Sequence, residues 1–244
     1  TGLSTALLKD GTQTVTRNIP MAGFKFTGLG AGTAAGNSLR YEQVNGLITA
    51  AGSTLQGTGA GALAELLIGT KRQVATVNAG ATALAFSNPI TLATMQATTS
   101  GTAFDFTGIP SGVRRITMIF SEVSLSGTDG LLVQLGDAGG PEALTYISTS
   151  GSIENAGASA AIAATTGFQA GGANASATFS GKMVIDLIDA ATFHWVAHHV
   201  GKGTATQVLI GAGDKSLSAE LTQIRLTRTG TDTFDAGAVT VSYE

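Results

Sequence analysis

Hydrophobic and polar residues alternate along short runs in the second half of the chain, and turn-forming residues separate these runs. In 221–228, for example, Thr222, Ile224 and Leu226 fall on one face of an extended strand. The same pattern predicts strands at 115–125, 131–135, 182–188, 193–200, 207–210, 221–228 and 239–243. Because these strands occur without a long helix between them, we expect an all-β protein in which 92–244 forms a globular β-sandwich or jelly-roll-like head.

The first part of the chain, 1–91, carries few large side chains. Tyr41 is the only aromatic residue between Phe26 and Phe86, and most of the intervening residues are Gly, Ala, Thr, Leu and Val. Small side chains bury little apolar surface, so this segment is poorly equipped to form a core of its own. We therefore expect an extended, intertwined shaft or neck in which copies of the chain pack against one another.

Local signals within the shaft and at the start of the head predict further elements. Asn37 or Ser38 can cap the first turn of a helix, so a short helix is predicted near 37–45. At 62–68 the pattern fits a strand and a short helix equally well. The Ser-Gly-Thr-Asp-Gly sequence at 126–130 predicts a turn between two strands of the head.

The composition narrows the classes of function that fit. Only 12% of the 244 residues are charged and 34 are glycine, so much of the surface is either weakly polar or buried against other copies. A net charge of −3 gives no strong field for nucleic acid. The absence of cysteine excludes disulfides and thiolate metal sites, and no apolar run is long enough to insert in a membrane. The glycines lack the context of a phosphate-binding loop, so we expect no cofactor.

Several blocks of sequence resemble the tail-fibre proteins of bacteriophages and prophages. The blocks DFTGIPSGVRRIT (105–117) and LVQLGDAGG (132–140) are similar to the C-terminal head of such fibres, as is the end of the chain with IRLT (224–227), GTDTFDAG (230–237) and VTVSYE (239–244). The motifs NIPM (18–21) and FKFTGL (24–29) resemble the segment just before a fibre's shaft. Together these regions cover about two thirds of the chain.

The resemblance implies a homotrimer that belongs to the virion and acts outside the host. Its expected function is receptor binding, meaning adsorption to a bacterial surface glycan such as lipopolysaccharide or capsule, with no catalytic activity. Because the chain begins with Thr1 and no leader-like segment follows, we expect it to be part of a longer fibre protein. The upstream part would bind tail or baseplate proteins. A purely structural shaft without a receptor role is a further possibility.

Sugar sites combine an aromatic platform with hydrogen-bonding groups, and these coincide only beyond residue 140. The stretch 148–181 is rich in small polar residues and reads either as a surface excursion or as a receptor-contacting loop. Trp195 is the best stacking residue by type, although a lone Trp in an all-β domain is also a common core residue. The candidate receptor-binding residues are Tyr146, Asn155, Gln169, Asn174, Trp195, His198 and His199.

Two kinds of chemical site compete with simple binding. His194 and His198 would have zinc-ligand spacing on a helix, but zinc needs three or four ligands and no neighbouring cluster supplies them. An exposed strand edge or a subunit interface is the simpler interpretation, and the axis of a trimer could complete a metal site by symmetry. Asp137 with Glu142, or Asp186 with Asp189, would suit a glycosidase if the carboxylates lay about 5–10 Å apart across a sugar. A tail-associated polysaccharide depolymerase is therefore the alternative function, although turn capping and solvation explain these carboxylates better than an active pair does.

Overall fold

Every regular element in the described part of the protein is a β-strand. The computed structural model describes residues 46–59, 62–78, 80–154, 161–171 and 175–244. No helix occurs in these ranges and all strand pairs are antiparallel, which confirms the expectation of an all-β protein. The helix predicted near 37–45 lies outside the described residues. The chain divides between Ser87 and Asn88 into two compact units.

Residues 46–87 form two separate antiparallel hairpins. Their strands are β1 (Thr54–Gly59), β2 (Ala62–Leu66), β3 (Val74–Val77) and β4 (Leu84–Ser87), paired as β1–β2 and β3–β4. The ambiguous segment 62–68 is thus mostly a strand. No described residue in this range is buried, and Leu63 and Val77 are 54% and 63% exposed. Within its described residues, the first unit lacks a hydrophobic core of its own.

A polar hub around Glu65 orders the start of this described region. Its carboxylate accepts hydrogen bonds from the backbone amides of Thr49 and Ala50 and from the hydroxyls of Thr49 and Ser53. The hydrogen bond from Ser53, followed by those from Thr49 and Ala50, lowers the pKa of Glu65 to about 2. Because donors surround the carboxylate, the charged form holds the segment before β1 against β2.

The second unit contains the remaining strands. They are β5 (Thr91–Leu92), β6 (Gln96–Ala97), β7 (Phe104–Thr107), β8 (Arg115–Leu125), β9 (Leu131–Asp137), β10 (Gly140–Pro141), β11 (Ile147–Glu154), β12 (Ala161–Ala164), β13 (Phe168–Gly171), β14 (Phe179–Asp189), β15 (His194–Lys202), β16 (Gln207–Ser216), β17 (Gln223–Arg228) and β18 (Phe234–Tyr243). Each predicted strand overlaps an observed one, and β8 has the predicted bounds.

These strands form two antiparallel sheets that share one hydrophobic core. The nine-stranded sheet has the order β12-β11-β16-β15-β14-β8-β18-β5, with β6 also paired to β18. The five-stranded sheet has the order β10-β9-β17-β7, with β13 also paired to β9. Alternation decides which residues enter the core: Ile116 and Met118 of β8 are buried, whereas Arg115 is exposed. Leu135 and Ile224 of the five-stranded sheet belong to the same buried cluster. One sheet curls into a half-barrel.

The structure corrects the expectation that 148–181 is a surface excursion or a receptor-contacting loop. The described part of this stretch contains β11, β12, β13 and the start of β14. Thr149 pairs with Ala212 and Gly151 with Ile210, so β11 extends the large sheet. Ser148 is buried, and its hydroxyl accepts a hydrogen bond from the amide of Gln169. Small Ser, Ala and Gly side chains give no hydrophobic alternation, so the pattern hides strands that backbone pairing stabilises.

A β-bulge in β18 depends on glycine. Gly237 has a φ of 93°, and the register of β18 against β8 shifts on both sides of Ala236. A Cβ atom at this position would lie 2.4 Å from the carbonyl oxygen of Glu122 and 2.6 Å from that of Ser121. Both obstacles are backbone atoms, so neither can move away as a flexible side chain would. The bulge therefore requires glycine for its conformation and for its space.

We expect Gly237→Ala to lower the free energy of unfolding by at least about 2 kcal/mol, because strained backbone and steric overlap both add to the cost. Gly101→Ala is the matched control: Gly101 has a similar φ of 90°, but its added Cβ would meet nothing within 4 Å. Denaturant unfolding followed by circular dichroism should show the larger loss for Gly237→Ala. Equal losses in the two variants would contradict the role of the close backbone contact.

Candidate functional site

The sequence-predicted site residues that the structure describes fall into two environments, exposed and buried. Asn155 and Asn174 lie outside the described residues. His198 is exposed on the outer face of β15. The side chains of the other candidates are buried, namely Tyr146, Gln169, Trp195 and His199. Buried side chains do not meet a surface glycan directly, so the expectation of an exposed receptor patch at these positions is wrong.

Tyr146 and Gln169 have structural partners that explain their burial. The Tyr146 hydroxyl accepts from the amide of Leu135 at 2.7 Å, and the ring packs edge-on against Phe168. Burial raises the pKa of this phenol well above its usual range. The Gln169 side-chain amide donates to the carbonyl of Gly171 at 2.6 Å. The Tyr146 hydroxyl therefore joins the segment before β11 to β9, whereas the Gln169 amide bonds within its own strand, β13.

The histidines follow strand geometry rather than helix geometry. Trp195 and His199 point into the core, whereas His194 and His198 face outward, as the strand interpretation predicted. His194 Nε2 lies 3.5 Å from a carboxylate oxygen of Asp214. Within the described ranges, no group of three or more His, Asp or Glu side chains could hold a metal ion. The helical zinc spacing is therefore not realised.

The structure brings together one of the two candidate glycosidase pairs. Ser218 Oγ lies 2.7 Å from Asp137 Oδ2 and 2.8 Å from Glu142 Oε1, so these two oxygens are no more than about 5.5 Å apart. Asp189, by contrast, caps its own turn by accepting from the amide of Ala191. Asp186 is paired with Arg115. Only Asp137 and Glu142 thus form a carboxylate pair.

A buried lysine forms an ion pair with one of these two carboxylates. Lys215 is 3% exposed, and its Nζ lies 2.5 Å from Glu142 Oε2. Burial acts to raise the pKa of Glu142, but hydrogen bonds from Lys215 and Ser218 outweigh it, so the pKa lies below its usual range. The hydroxyl of Ser218 and the amide of Gly139 likewise lower the pKa of Asp137. Both carboxyls are therefore ionised at neutral pH, and neither is suited to act as a general acid.

A concave site lined by apolar and charged residues lies in another part of the second unit. We call it the loop groove. Its inner pocket has an empty volume of about 430 Å³. The residues lining the inner pocket are Gly112, Val113, Arg114, Leu187, Ala190, Phe193, Trp195, Glu220 and Leu221. An open outer part of about 830 Å³ shares Gly112, Arg114 and Leu187 and adds Arg115, Asp186 and Glu244. Apolar walls with a few convergent polar groups are typical of ligand sites.

Backbone hydrogen bonds fix the segments that form the loop groove. The amide of Arg114 donates to the carbonyl of Glu244 at 2.8 Å, and the amide of Leu187 donates to the carbonyl of Arg114 at 2.8 Å. Glu220 Oε1 accepts from Ser111 Oγ at 2.7 Å and from the amide of Gly112 at 3.0 Å. These two hydrogen bonds lower the pKa of Glu220. The loop before β8, the end of β14 and the segment before β17 are thus tied together.

The two adjacent arginines of the groove differ in their partners. Arg115 Nε lies 2.6 Å from Asp186 and its Nη1 lies 3.1 Å from Glu244. The hydrogen bond and charge of Asp186, and then those of Glu244, raise the pKa of Arg115. The Arg114 guanidinium is exposed and makes no side-chain hydrogen bond or ion pair with the described residues. As far as the described residues go, the Arg114 guanidinium is therefore available to an external acceptor.

Trp195 and Phe193 form the aromatic part of the inner pocket. Trp195 is 2% exposed, and its Nε1 is buried without a hydrogen-bond partner among the described residues. Leaving such a donor unpaired costs about 1–3 kcal/mol. Phe193 has a φ of 50°, an uncommon conformation for an aromatic residue. Unpaired polar groups and strained backbone are both features that concentrate at functional sites.

Sequence reasoning did not identify most of this groove. Arg114 and Arg115 lie in the block that carries the fibre resemblance, yet nothing marked them as site residues. The sequence does contain one signal for this groove, which is the pair of adjacent arginines at the start of the predicted strand 115–125. Such a pair stands out because charged residues are scarce in this chain. Glu220 and Glu244 join the groove only through folding. No family model, curated protein or solved structure matches the chain.

None of the residues described by the structure forms a helix that is long and apolar enough to cross a lipid bilayer.

Proposed function

We propose that this protein is the receptor-binding part of a viral tail fibre, which attaches the virion to a glycan on the bacterial surface. The observation that carries the proposal is the loop groove, where the partly buried ring of Phe193 and neighbouring apolar side chains meet charged groups on an all-β scaffold. A site that combines apolar and charged side chains suits a sugar, because a sugar ring has apolar faces and its hydroxyl groups both donate and accept hydrogen bonds. The fibre-like block 105–117 supplies one wall of the groove, and Glu244 ends the second block.

The same proposal includes a homotrimer with an intertwined shaft and a β-sandwich or jelly-roll-like head. The exposed strands of 46–87 support it, because hairpins with no buried residue gain stability by packing on other copies. The shared core of the two sheets in 88–244 supports a sandwich-like head. Three heads on one fibre would present three grooves, so weak contacts would combine through avidity. An upstream part of the fibre would bind tail or baseplate proteins.

Adsorption to host cells tests this function most directly. We expect Arg114→Ala to reduce adsorption at least about tenfold, because a hydrogen bond to a charged group contributes about 1.5–3 kcal/mol. Thermal stability should be unchanged, since the guanidinium has no partner among the described residues. Lys202→Ala is the matched control, as Lys202 is exposed and does not line the groove. Adsorption that is equal in both variants and the parent would contradict the proposal.

Polysaccharide cleavage is the alternative, and one observation favours it. Asp137 and Glu142 both accept from Ser218, so their nearest oxygens lie no more than about 5.5 Å apart, and retaining glycosidases also hold two carboxyl groups close together. Their lowered pKa values and the ion pair with Lys215 argue against acid catalysis. Incubation with host capsule or lipopolysaccharide should release no new reducing ends. Steady release of reducing ends by the folded parent protein would establish the depolymerase instead.

A further inference from the structure

The outer face of the nine-stranded sheet carries an exposed apolar patch. Along its central strands, buried side chains alternate with side chains that point away from the core. Five of the outward residues are large and β-branched, and each is between 41% and 58% exposed. They are Ile119, Ile153, Val200, Val208 and Ile210, and we call this set the sheet patch. Large apolar residues on the surface of a monomer are usually scattered singly, so a group of five calls for an explanation.

The register of the strands makes these five residues neighbours. Val200 lies directly opposite Ile210, and Val208 lies directly opposite Ile153. Ile119 is separated from Val200 by a single position on β14. Side chains directly opposite each other in a sheet lie about 4.5–5.5 Å apart. The sheet patch is therefore one surface that crosses β8, β14, β15, β16 and β11.

The sheet patch is flat and wide enough for another sheet to pack on it. Small residues surround it on the same face, including Gly151, Ala161 and Ala212. Five strands span about 24 Å and seven residues of β11 span about 23 Å, so the face covers roughly 550 Å² in projection. Because side chains corrugate a surface, its accessible area exceeds its projection and approaches the ~800 Å² per partner of a stable interface.

The sheet patch also lies away from the loop groove. On β15, Val196 is the residue opposite Asp186 of the outer groove. Val200 of the sheet patch is four residues, or about 13 Å, farther along that strand. A partner that covers the patch can therefore leave the groove open to a receptor.

The charges on this face are separated in a way that suits a second copy. Lys182 on β14 makes no hydrogen bond or ion pair with the described residues. Asp214 on β16 has His194, at 3.5 Å, as its ion-pair neighbour in the described part of the chain. Lys182 lies opposite Val200 and Asp214 opposite Val196. The two are therefore about 16 Å apart within one chain, too far to pair, whereas a neighbouring copy can bring its aspartate to this lysine.

We infer that the sheet patch packs against the sheet patch of a neighbouring copy of this chain. A flat apolar surface is complementary to a copy of itself, and a surface of aliphatic side chains offers a sugar no hydrogen bond. The inference rests on the homotrimer of the proposed function. It adds a contact between heads to the contact between shafts, so the second unit of each copy has a partner surface of its own.

The chain contains no cysteine, so an introduced thiol reports on one position alone. Ile210→Cys places that thiol at the centre of the sheet patch in the full-length protein. We expect a short bismaleimide at low micromolar protein concentration to join most chains into covalent dimers on a denaturing gel. Thr107→Cys is the matched control, because Thr107 is exposed on β7 of the five-stranded sheet, and its yield should be several times lower.

A charge exchange distinguishes a second copy from any other partner. In the Ile210→Cys protein, Lys182→Asp and Asp214→Lys should each slow cross-linking at least about tenfold, because each brings like charges together across the interface. Combining both substitutions restores opposite charges and should restore the rate. Fluorescence of Trp195, the only tryptophan, checks that every variant is folded, since the indole is buried in the parent.

Equal yields at positions 210 and 107, or a rate that the combined exchange does not restore, would overturn the inference. If the parent still sediments as a trimer and adsorbs in an Arg114-dependent manner in that case, only the assignment of this face fails. A parent that sediments as a monomer would remove the homotrimer as well. Loss of adsorption in Ile210→Asp without cross-linking of Ile210→Cys would make the patch a receptor contact instead. Selective cross-linking that the single exchanges slow and the double exchange restores would establish the interface.

Discussion

Glu142→Gln is expected to destabilise the folded protein by about 3 kcal/mol, because it leaves the buried ammonium of Lys215 without its counter-ion. Lys215 is 3% exposed and lies 2.5 Å from Glu142. Its other contacts are the hydroxyl of Thr145 at 2.9 Å and the ring of Tyr146 at 5.3 Å, and neither carries a negative charge. The charge of Asp137 also attracts Lys215, but Glu142 is its ion-pair partner among the described residues. The Glu142 side chain is 22% exposed, so we place the loss at the lower end of the range for buried pairs.

The double variant Glu142→Gln/Lys215→Met tests the mechanism of this loss. Removing the lysine charge should recover much of the stability, since replacing a whole buried ion pair is often neutral. A double variant that is less stable than Glu142→Gln would show that the lysine stabilises the protein by itself. Glu154→Gln serves as the exposed control and should change the denaturation midpoint little.

The pH dependence of the same pair has a defined sign. The folded-state pKa of Glu142 lies below its usual value, so the charged carboxylate favours the folded state. Its contribution is therefore complete above the unfolded-state pKa near 4.5 and is lost as the pH falls through the lower folded-state pKa. The difference in stability between the parent and Glu142→Gln should shrink in that acidic window.

The strands of the head were predictable where their two faces differ. In β8 and β15 large apolar residues alternate with polar ones, and the observed burial follows that alternation. β11 gave no such signal because its inward residues Ser148 and Ser150 are small and polar. Pairing with β16 determines its structure, and that pairing is a long-range property that local patterns do not contain.

The candidate site was less predictable than the fold, because residue type does not reveal burial. Trp195, Tyr146 and His199 are polar-tipped aromatic residues of the type that binds sugars, but all three are buried. Alternation along β15 directs Trp195 and His199 inward, and Tyr146 lies just before β11. The loop groove unites residues as distant in sequence as Arg115 and Glu244. These residues converge because β8 and β18, the first and last long strands of the large sheet, are hydrogen-bonded to each other. Such a long-range pairing cannot be predicted from a single sequence.

Lowering the pH from about 6.5 to about 4 is expected to reduce the stability of the head by roughly 3 kcal/mol through His199 alone. His199 is 4% exposed, and its Nε2 lies 3.2 Å from the hydroxyl of Ser150. Burial, and then the charge of neighbouring His198, lower the pKa of His199 from 6.5 to about 4. The ring of Phe179 lies 6.0 Å away with an interplanar angle of 79° and adds to the apolar surroundings of the imidazole.

The sign follows from which state binds the proton more tightly. Between pH 6.5 and 4 the unfolded chain protonates this histidine and the folded protein does not, so stability falls across that window and no further below it. His199→Gln does not titrate and should show a flatter dependence of the denaturant midpoint on pH, although its stability at pH 7.5 will be lower. His198→Gln, which changes the exposed neighbour, should retain most of the parent's slope. If His198→Gln flattened the profile and His199→Gln did not, the outward histidine would be the titrating group and the buried one only a packing residue.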